Sequence, residues 1–354
     1  MTSLHWVWRR FLQRSLAATL LSLCLSSCNS DDEPSGSPSP RTVKVLIVTM
    51  FGPEATAWID GLELSESIAV PGLSPDYPEV LCNSDDVCLI TTGMGHANVA
   101  ASLSVLVYSG KLDLTESYFL IAGIAGINPE QGTLASVAWA RYLVDFGIAW
   151  EIDARELPAG WKYGYFGINT HGPDEKPPLD YRTEVFQLDE ALLQKALSLS
   201  QDVELEDSAE AQAFRANYAF APANEPPKVI QCDTVASDTW FAGTTLGERA
   251  SDWTQLLTDG QGTYCTTQQE DNAAYEVLKR ATKAGKLNVS RLSVLRGGSD
   301  FDRPYEGESS ADNLVNYATQ GGFVPTLQNL YNAGSPLIAE IVSNWSTWKH
   351  GVPK

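Results

Sequence analysis

Basic residues are scarce in this chain: 24 Lys and Arg stand against 44 Asp and Glu, a formal net charge of −20 at pH 7. A surface so acidic excludes nucleic acid as an expected partner, because phosphate binding rests on clustered cations. It also speaks against docking of the folded part on anionic lipid. Long apolar runs are missing after the amino terminus, so no segment of the body is expected to cross a bilayer, and the folded part is not expected to form a channel by itself. Close CxxC pairs with neighbouring histidines are missing too, which argues against zinc. No metal and no cofactor is called for.

What is present begins with residues 1–27, which carry Arg9, Arg10 and Arg14, no acid, and an apolar run over 16–25. That pattern is expected to be a secretory signal, the run being too short for a stable anchor. It ends in Leu25-Ser26-Ser27-Cys28, which resembles the lipobox of bacterial lipoproteins. The resemblance implies cleavage before Cys28, lipidation of that residue, and export to the bacterial cell envelope with the lipid as the link to the membrane. The alternative is a plain signal peptide with an incidental cysteine. Residues 28–42 read as a flexible polar tether. Cys82, Cys88, Cys232 and Cys265 then remain, an even number. Cys82 and Cys88 flank the turn-rich Asn83-Ser84-Asp85-Asp86 and are expected to close a disulfide across a hairpin.

The body, residues 43–354, alternates strands with helices and is expected to be a single α/β domain around a mixed central sheet. Residues 43–48, VKVLIV, suit a central strand, and a helix is expected from Pro53, with Glu54 in its first turn. Further strands are expected over 87–92, 118–122, 134–144 and 228–232. Residues 93–98 open a helix to about residue 108, but with Asn98 in the last place of a GxGxxG pattern a dinucleotide site is a weak reading. Residues 150–227 lose the pattern and read as an insertion or flap on the same domain, or as a separate small domain, with one helix near 189–200. Apolar spacing predicts a helix over 268–284 and a strand over 289–295, closed by a turn at Gly297-Gly298. Residues 323–348 read as one or two covering helices split at Gly334-Ser335-Pro336.

Three carboxylates therefore fall at strand carboxyl ends or helix starts: Glu54, Glu270 and Asp300. In open α/β sheets that is where ligands bind. Each taken alone also fits ordinary first-turn or turn chemistry.

The segments VKVLIVTMFGPEA, TTGMGHANVAAS, FLIAGIAGINPEQGTLASV, SDTWFAG, TYCTTQQEDNAAY and LRGGSDFDRP resemble, in this order, the purine nucleoside permease family of fungi and bacteria. That family is more distantly similar to nucleoside phosphorylases and methylthioadenosine nucleosidases. The resemblance implies a nucleoside phosphorylase-like fold with a twisted mixed central sheet flanked by helices, and a homo-oligomer. It places Gln269 and Glu270 at the ribose hydroxyls, Asp300 at the purine N7 as proton donor, Trp240 and Phe241 against the base, and Glu54 at the attacking water. Where phosphorylases supply Arg, Ser or Thr to phosphate, this chain has Phe51-Gly52-Pro53 and Ala122-Gly123-Ile124, so water is the expected nucleophile.

Cleaving an N-glycosidic bond develops positive charge on the ribose and negative charge on the base. Asp300 would have to hold a proton near neutral pH while Glu54 stays ionised. Two classes of function follow from the resemblance. One is a hydrolase releasing base and ribose from a purine nucleoside. The other is a non-catalytic nucleoside-binding component of uptake that passes its ligand to a separate membrane transporter.

Overall fold

The computed structural model describes residues 39–353. The expected signal, Cys28 and the tether up to residue 38 lie outside the described residues. The end of the expected tether belongs to the fold, since Arg41–Thr42 pairs in parallel with Leu112–Asp113.

Twelve strands form the central sheet: β1 (Val45–Thr49), β2 (Glu66–Ala69), β3 (Glu79–Cys82), β4 (Val87–Thr91), β5 (Tyr118–Ile127), β6 (Val137–Trp139), β7 (Tyr142–Asp145), β8 (Val185–Gln187), β9 (Val229–Gln231), β10 (Asp233–Ala236), β11 (Tyr264–Gln268) and β12 (Leu292–Phe301). The main path runs β8-β7-β10-β11-β5-β1-β4-β3-β2, while β12 pairs with both β5 and β6 and β9 extends from β6. Parallel pairs (β1 with β4 and β5, β12 with β5) coexist with antiparallel ones (β11 with β5, β7 with β8). The sheet is mixed, as the alternating pattern predicts.

Burial explains why these runs are strands. All five residues of β1 are buried, with Leu46 and Val48 on one face and Val45 and Ile47 on the other, so the sheet is covered on both sides. Helices α2 (His96–Tyr108) and α6 (Asp271–Lys283) cover the first face with Val99, Leu103, Leu106, Ala274, Leu278 and Ala281. Helices α1 (Gly52–Gly61), α3 (Glu190–Ser200) and α8 (Phe323–Ser343) cover the second with Trp58, Leu192, Leu193, Leu330, Leu337 and Ile338. Two more helices, α4 (Ala209–Arg215) and α5 (Thr244–Leu257), lie between α3 and α6 in the chain, and α7 (Ser310–Val315) precedes α8. Residues 150–227 are laid on the same sheet: β8 pairs with β7, and α3 packs in the core beside α8. Cys82 and Cys88 are bonded across the β3–β4 hairpin, and Cys232 is bonded to Cys265.

Three expectations are corrected. The strand expected over 134–144 is two strands, broken at Ala140 and Arg141, where the Asp233 carboxylate accepts from the backbone N–H groups of Arg141 and Tyr142 at 3.1 and 2.7 Å. The carboxyl-terminal helix is not split: α8 runs through Gly334-Ser335-Pro336, because the buried faces of Ala333, Leu337, Ile338 and Ile341 outweigh the one hydrogen bond Pro336 gives up. Finally, Gly297 and Gly298 do not turn the chain. They lie within β12, and Asp300 sits inside that strand rather than beyond it.

Close packing is the reason for these glycines. A Cβ on Gly297 would stand 2.3 Å from Thr326 Cγ2, a methyl of α8. Gly297→Ala is therefore expected to destabilise the protein by about 1–3 kcal/mol, as overpacking does. Urea unfolding checks this, and the loss should be recovered in part by Thr326→Ser, which removes the opposing methyl.

Candidate active site

Strand β5 pairs with β12 along most of its length, with β1 through Ile121, and with β11 at Gly126 and Ile127, so residues 122–125 pair with β12 alone. Side chains complete the bonding there. Ile124 N donates to Glu54 Oε1 at 2.8 Å, and Ile124 O accepts from Arg296 Nη1 at 3.2 Å. Glu54 reaches this gap because α1 starts directly after β1, and its Oε2 accepts from Met50 N at 2.7 Å. Gly123 is required at this crossing: a Cβ would lie 2.7 Å from both Arg296 Nη1 and Glu54 Oε1.

Arg296 arrives from β12, fully buried, and binds Asp271 through Nη2 and Nε at 2.5 and 3.3 Å, with Glu270 Oε2 at 3.2 Å and Gln268 Oε1 at 3.3 Å. Glu270 sits at the cap of α6, where its Oε1 accepts from Gly95 N at the start of α2 at 2.9 Å. Four residues further along β12, Asp300 Oδ1 accepts from Ser299 Oγ at 2.6 Å. Glu54, Gln268, Glu270, Arg296, Ser299 and Asp300 line one cavity of about 340 Å³ together with Phe51, Met94, Ser237, Thr239, Trp240, Thr267, Gln269, Tyr317 and Phe323, while Asp271 stands behind it.

Burial pushes the Asp300 carboxyl up to about 7, with nearby Asp302 adding to the rise and hydrogen bonds from Ser299 and Trp240 opposing it. Burial likewise pushes Glu54 up to about 8, against the Arg296 charge and the backbone donors of Met50 and Ile124. The expectation that Glu54 is ionised at neutral pH is thus corrected: in the ligand-free protein it mostly carries a proton, because desolvation outweighs its donors.

Of the residues singled out from sequence, Glu54, Gln269, Glu270, Asp300 and Trp240 share this cavity. Gln269 is fastened by its Nε2 to Asp238 O at 2.9 Å. Trp240 is 42% exposed and faces Tyr317 with ring centroids 4.6 Å apart. Phe241 is corrected. It is 5% exposed, packs on Phe146 and belongs to a core cluster with Tyr142, Val144 and Trp253, because burial of its wholly apolar ring there removes it from the cavity that Trp240 lines. Sequence reasoning missed Tyr317, Phe323 and Met94, which lie in stretches without a chemical motif, and the ionic role of Asp271. The run of three acidic or amide residues before α6 was the available signal. Among the described residues lining the cavity, Arg296 is the one cation, and two carboxylates already claim it.

Comparison with known proteins places this geometry in a family. The purine nucleoside permease (NUP) family model matches residues 42–353. The chain belongs to the purine nucleoside permease family. A probable purine nucleoside permease of Schizosaccharomyces pombe is 41% identical over 321 residues, covering 86% of this chain and 90% of that protein. A purine nucleoside permease of Candida albicans is 38% identical over 307 residues, covering 85% and 75%. Both relatives are fungal, which overturns the expectation of a lipid-anchored protein exported to a bacterial cell envelope. Among solved structures, the futalosine hydrolase of Helicobacter pylori aligns with a TM-score of 0.52 at 12% identity, over 84% of this chain and 98% of that one. The 5'-methylthioadenosine/S-adenosyl homocysteine nucleosidase of the same organism gives 0.52 at 12%, over 85% and 99%. At that identity the likeness is one of fold, and it agrees with the mixed sheet flanked by helices described above for this permease-family chain.

The raised carboxyls set a pH dependence of stability. Glu54 and Asp300 move from ordinary values of 4.5 and 3.8 to about 8 and about 7, so between about pH 4 and 8 the folded state binds more protons than the unfolded one. Stability then falls as pH rises through that window, Asp300 contributing on the order of 4 kcal/mol. The unfolding midpoint is expected to drop from pH 5 to pH 8, and to drop less in Asp300→Asn. Thermal melts of both proteins across that range check it.

Proposed function

We propose that the cavity takes a purine nucleoside and that water cleaves its N-glycosidic bond. The observation that carries this reading is the pair of buried carboxyls, Asp300 and Glu54, with proton affinities close to neutrality in one cavity that holds no uncommitted cation. The names of the family relatives support the nucleoside, and the nucleosidase fold is compatible with the chemistry.

In this mechanism Asp300 donates its proton to N7 of the base as the bond to the ribose breaks, and the pair of electrons leaves with the base. Positive charge grows on the ribose beside the Glu270 carboxylate and, in the active form, the ionised Glu54, and anions there favour the transition state. Glu54 accepts a proton from the water that attacks the ribose. The products are free base and ribose. Phosphate is disfavoured as nucleophile, because Arg296 is bound to Asp271 and Glu270 and the remaining ionisable lining groups are acids.

The active form needs Glu54 ionised and Asp300 protonated. Below about pH 8 Glu54 mostly keeps its proton and attack is slowed, and above about pH 7 Asp300 has mostly lost its own and departure is slowed, so the active form is a minor species, most populated midway between the two. A bell-shaped profile of kcat/KM is expected, with its maximum between those values. A flat profile across pH 6 to 9 would remove the acid–base assignment.

Asp300→Asn keeps the shape and removes the proton donor, so base release is expected to fall roughly 10²- to 10⁴-fold with nucleoside affinity retained. Glu54→Gln is expected to act alike on rate and to spare affinity. The measurement is base release from inosine and adenosine with and without phosphate, alongside calorimetric binding. Ribose 1-phosphate in phosphate buffer would replace hydrolysis by phosphorolysis. Tight binding without any cleavage would favour the second reading, a nucleoside-binding component serving a separate transporter. The family name favours that alternative, and among the described residues no helix is long and apolar enough to cross a membrane.

A further inference from the structure

Just past the end of β12 stands a second buried carboxylate that the mechanism above does not use. Asp302 is 1% exposed. It follows Asp300 by two residues, at the bend after β12, and the two lie over the same point of β5: a Cβ on Gly126 would meet Asp300 Oδ2 at 3.6 Å and Asp302 Cα at 3.9 Å, while Phe301 between them enters a core cluster with Ile127, Leu134 and Tyr218. Every polar group of Asp302 is tied down. Oδ1 accepts from Arg303 Nε at 2.8 Å, and Oδ2 accepts from Tyr264 Oη at 2.6 Å and from Arg303 Nη2 at 3.1 Å. Its backbone N donates to Ile127 O at 2.9 Å, and its carbonyl accepts from Gly243 N at 2.8 Å. Gly243 ends the segment that carries Trp240 over the cavity.

We propose that Asp302 is a positioning residue for Asp300: clamped by Tyr264 and Arg303, it holds a fixed negative charge behind the acid that favours its protonated form, and its carbonyl anchors the segment bearing Trp240. This rests on the reading of Asp300 as proton donor.

The charged and titratable groups around Asp300 assign the effect to Asp302. On its own strand stands Arg296, committed to Asp271 and Glu270, and just past the strand's end come Asp302 and Arg303. From β11 comes Tyr264, whose hydroxyl is spent on Asp302. From the segment after β10 comes the neutral Trp240, and from the loop after β5 comes Glu130, 3.8 Å from Arg303. Across the cavity are Glu54 and Glu270. Asp302 is the like charge whose repulsion raises Asp300, after burial itself. Burial pushes Asp302 upward too, but a two-pronged guanidinium and a phenol donor favour its charged form.

The test is the titration of the Asp300 carboxyl, followed by carbon NMR on protein labelled at Asp, with Asp300→Asn identifying the signal. In Asp302→Asn the midpoint is expected to fall by about one pH unit, and the alkaline limb of kcat/KM for base release to move down with it, while KM stays within about twofold of wild type. Asp302→Glu, which retains the charge, is expected to restore most of the shift. An unchanged midpoint in folded Asp302→Asn overturns the proposal. Should that variant fail to fold, Tyr264→Phe decides: the charge remains and loses a donor, so the midpoint should stay or rise, and a fall of about one unit overturns it. The NMR readout needs no turnover. A protein that binds nucleoside without cleaving it would sink the hydrolase reading while the Asp300 midpoint still responds to Asp302.

Discussion

One buried guanidinium organises the cavity. Arg296 leaves β12 at the stretch where β5 pairs with that strand alone, and it binds the Ile124 carbonyl, Gln268, Glu270 and Asp271 at once. Burying an ion pair recovers little net stability, but removing one partner of it is costly, because the other charge is left without compensation. Here a single cation answers two acids and opposes the rise of a third, Glu54. The arrangement fixes what its neighbours can be. Position 123 must lack a Cβ, position 268 must offer an acceptor both to Arg296 and to the first N–H groups of α6, and position 270 must cap α6 while reaching back to α2.

Much of this was readable from sequence, for reasons that can be located. The apolar spacing of Ala274, Val277, Leu278 and Ala281 gave α6, the unbroken run at β1 gave a strand covered on both faces, and a proline with an acid beside it gave the start of α1. Glu54, Glu270 and Asp300 could be named because strand ends and helix starts are where a sheet of this kind concentrates polar groups. What stayed hidden depended on distance. Glycine is one letter whether it turns the chain or lets a helix approach, so Gly297 and Gly298 read as a strand's end when the methyl of Thr326 was the reason for the first of them. Trp240 and Phe241 are adjacent and chemically alike, and only the direction of each side chain sends one to the cavity and the other to the core. The charge state of Glu54 was hidden for the same reason: the residue type sets an ordinary carboxyl, and burial moves it.

The order in which the two carboxyls hold their protons has a mechanistic meaning on the proposed reading. Glu54 holds its proton about one unit more tightly than Asp300, so the ligand-free protein favours the reverse of the arrangement of protons that catalysis needs. A bound nucleoside reverses that order on this reading. Its base offers N7 as an acceptor to Asp300, which stabilises the protonated form, and positive charge growing on the ribose stabilises the anion at Glu54. Neither effect requires the protein to move. The cost of holding two acids out of water is thus met by the reacting molecule itself, in the state where it carries most charge, and that is the condition under which a preorganised site accelerates a reaction rather than only binding its substrate.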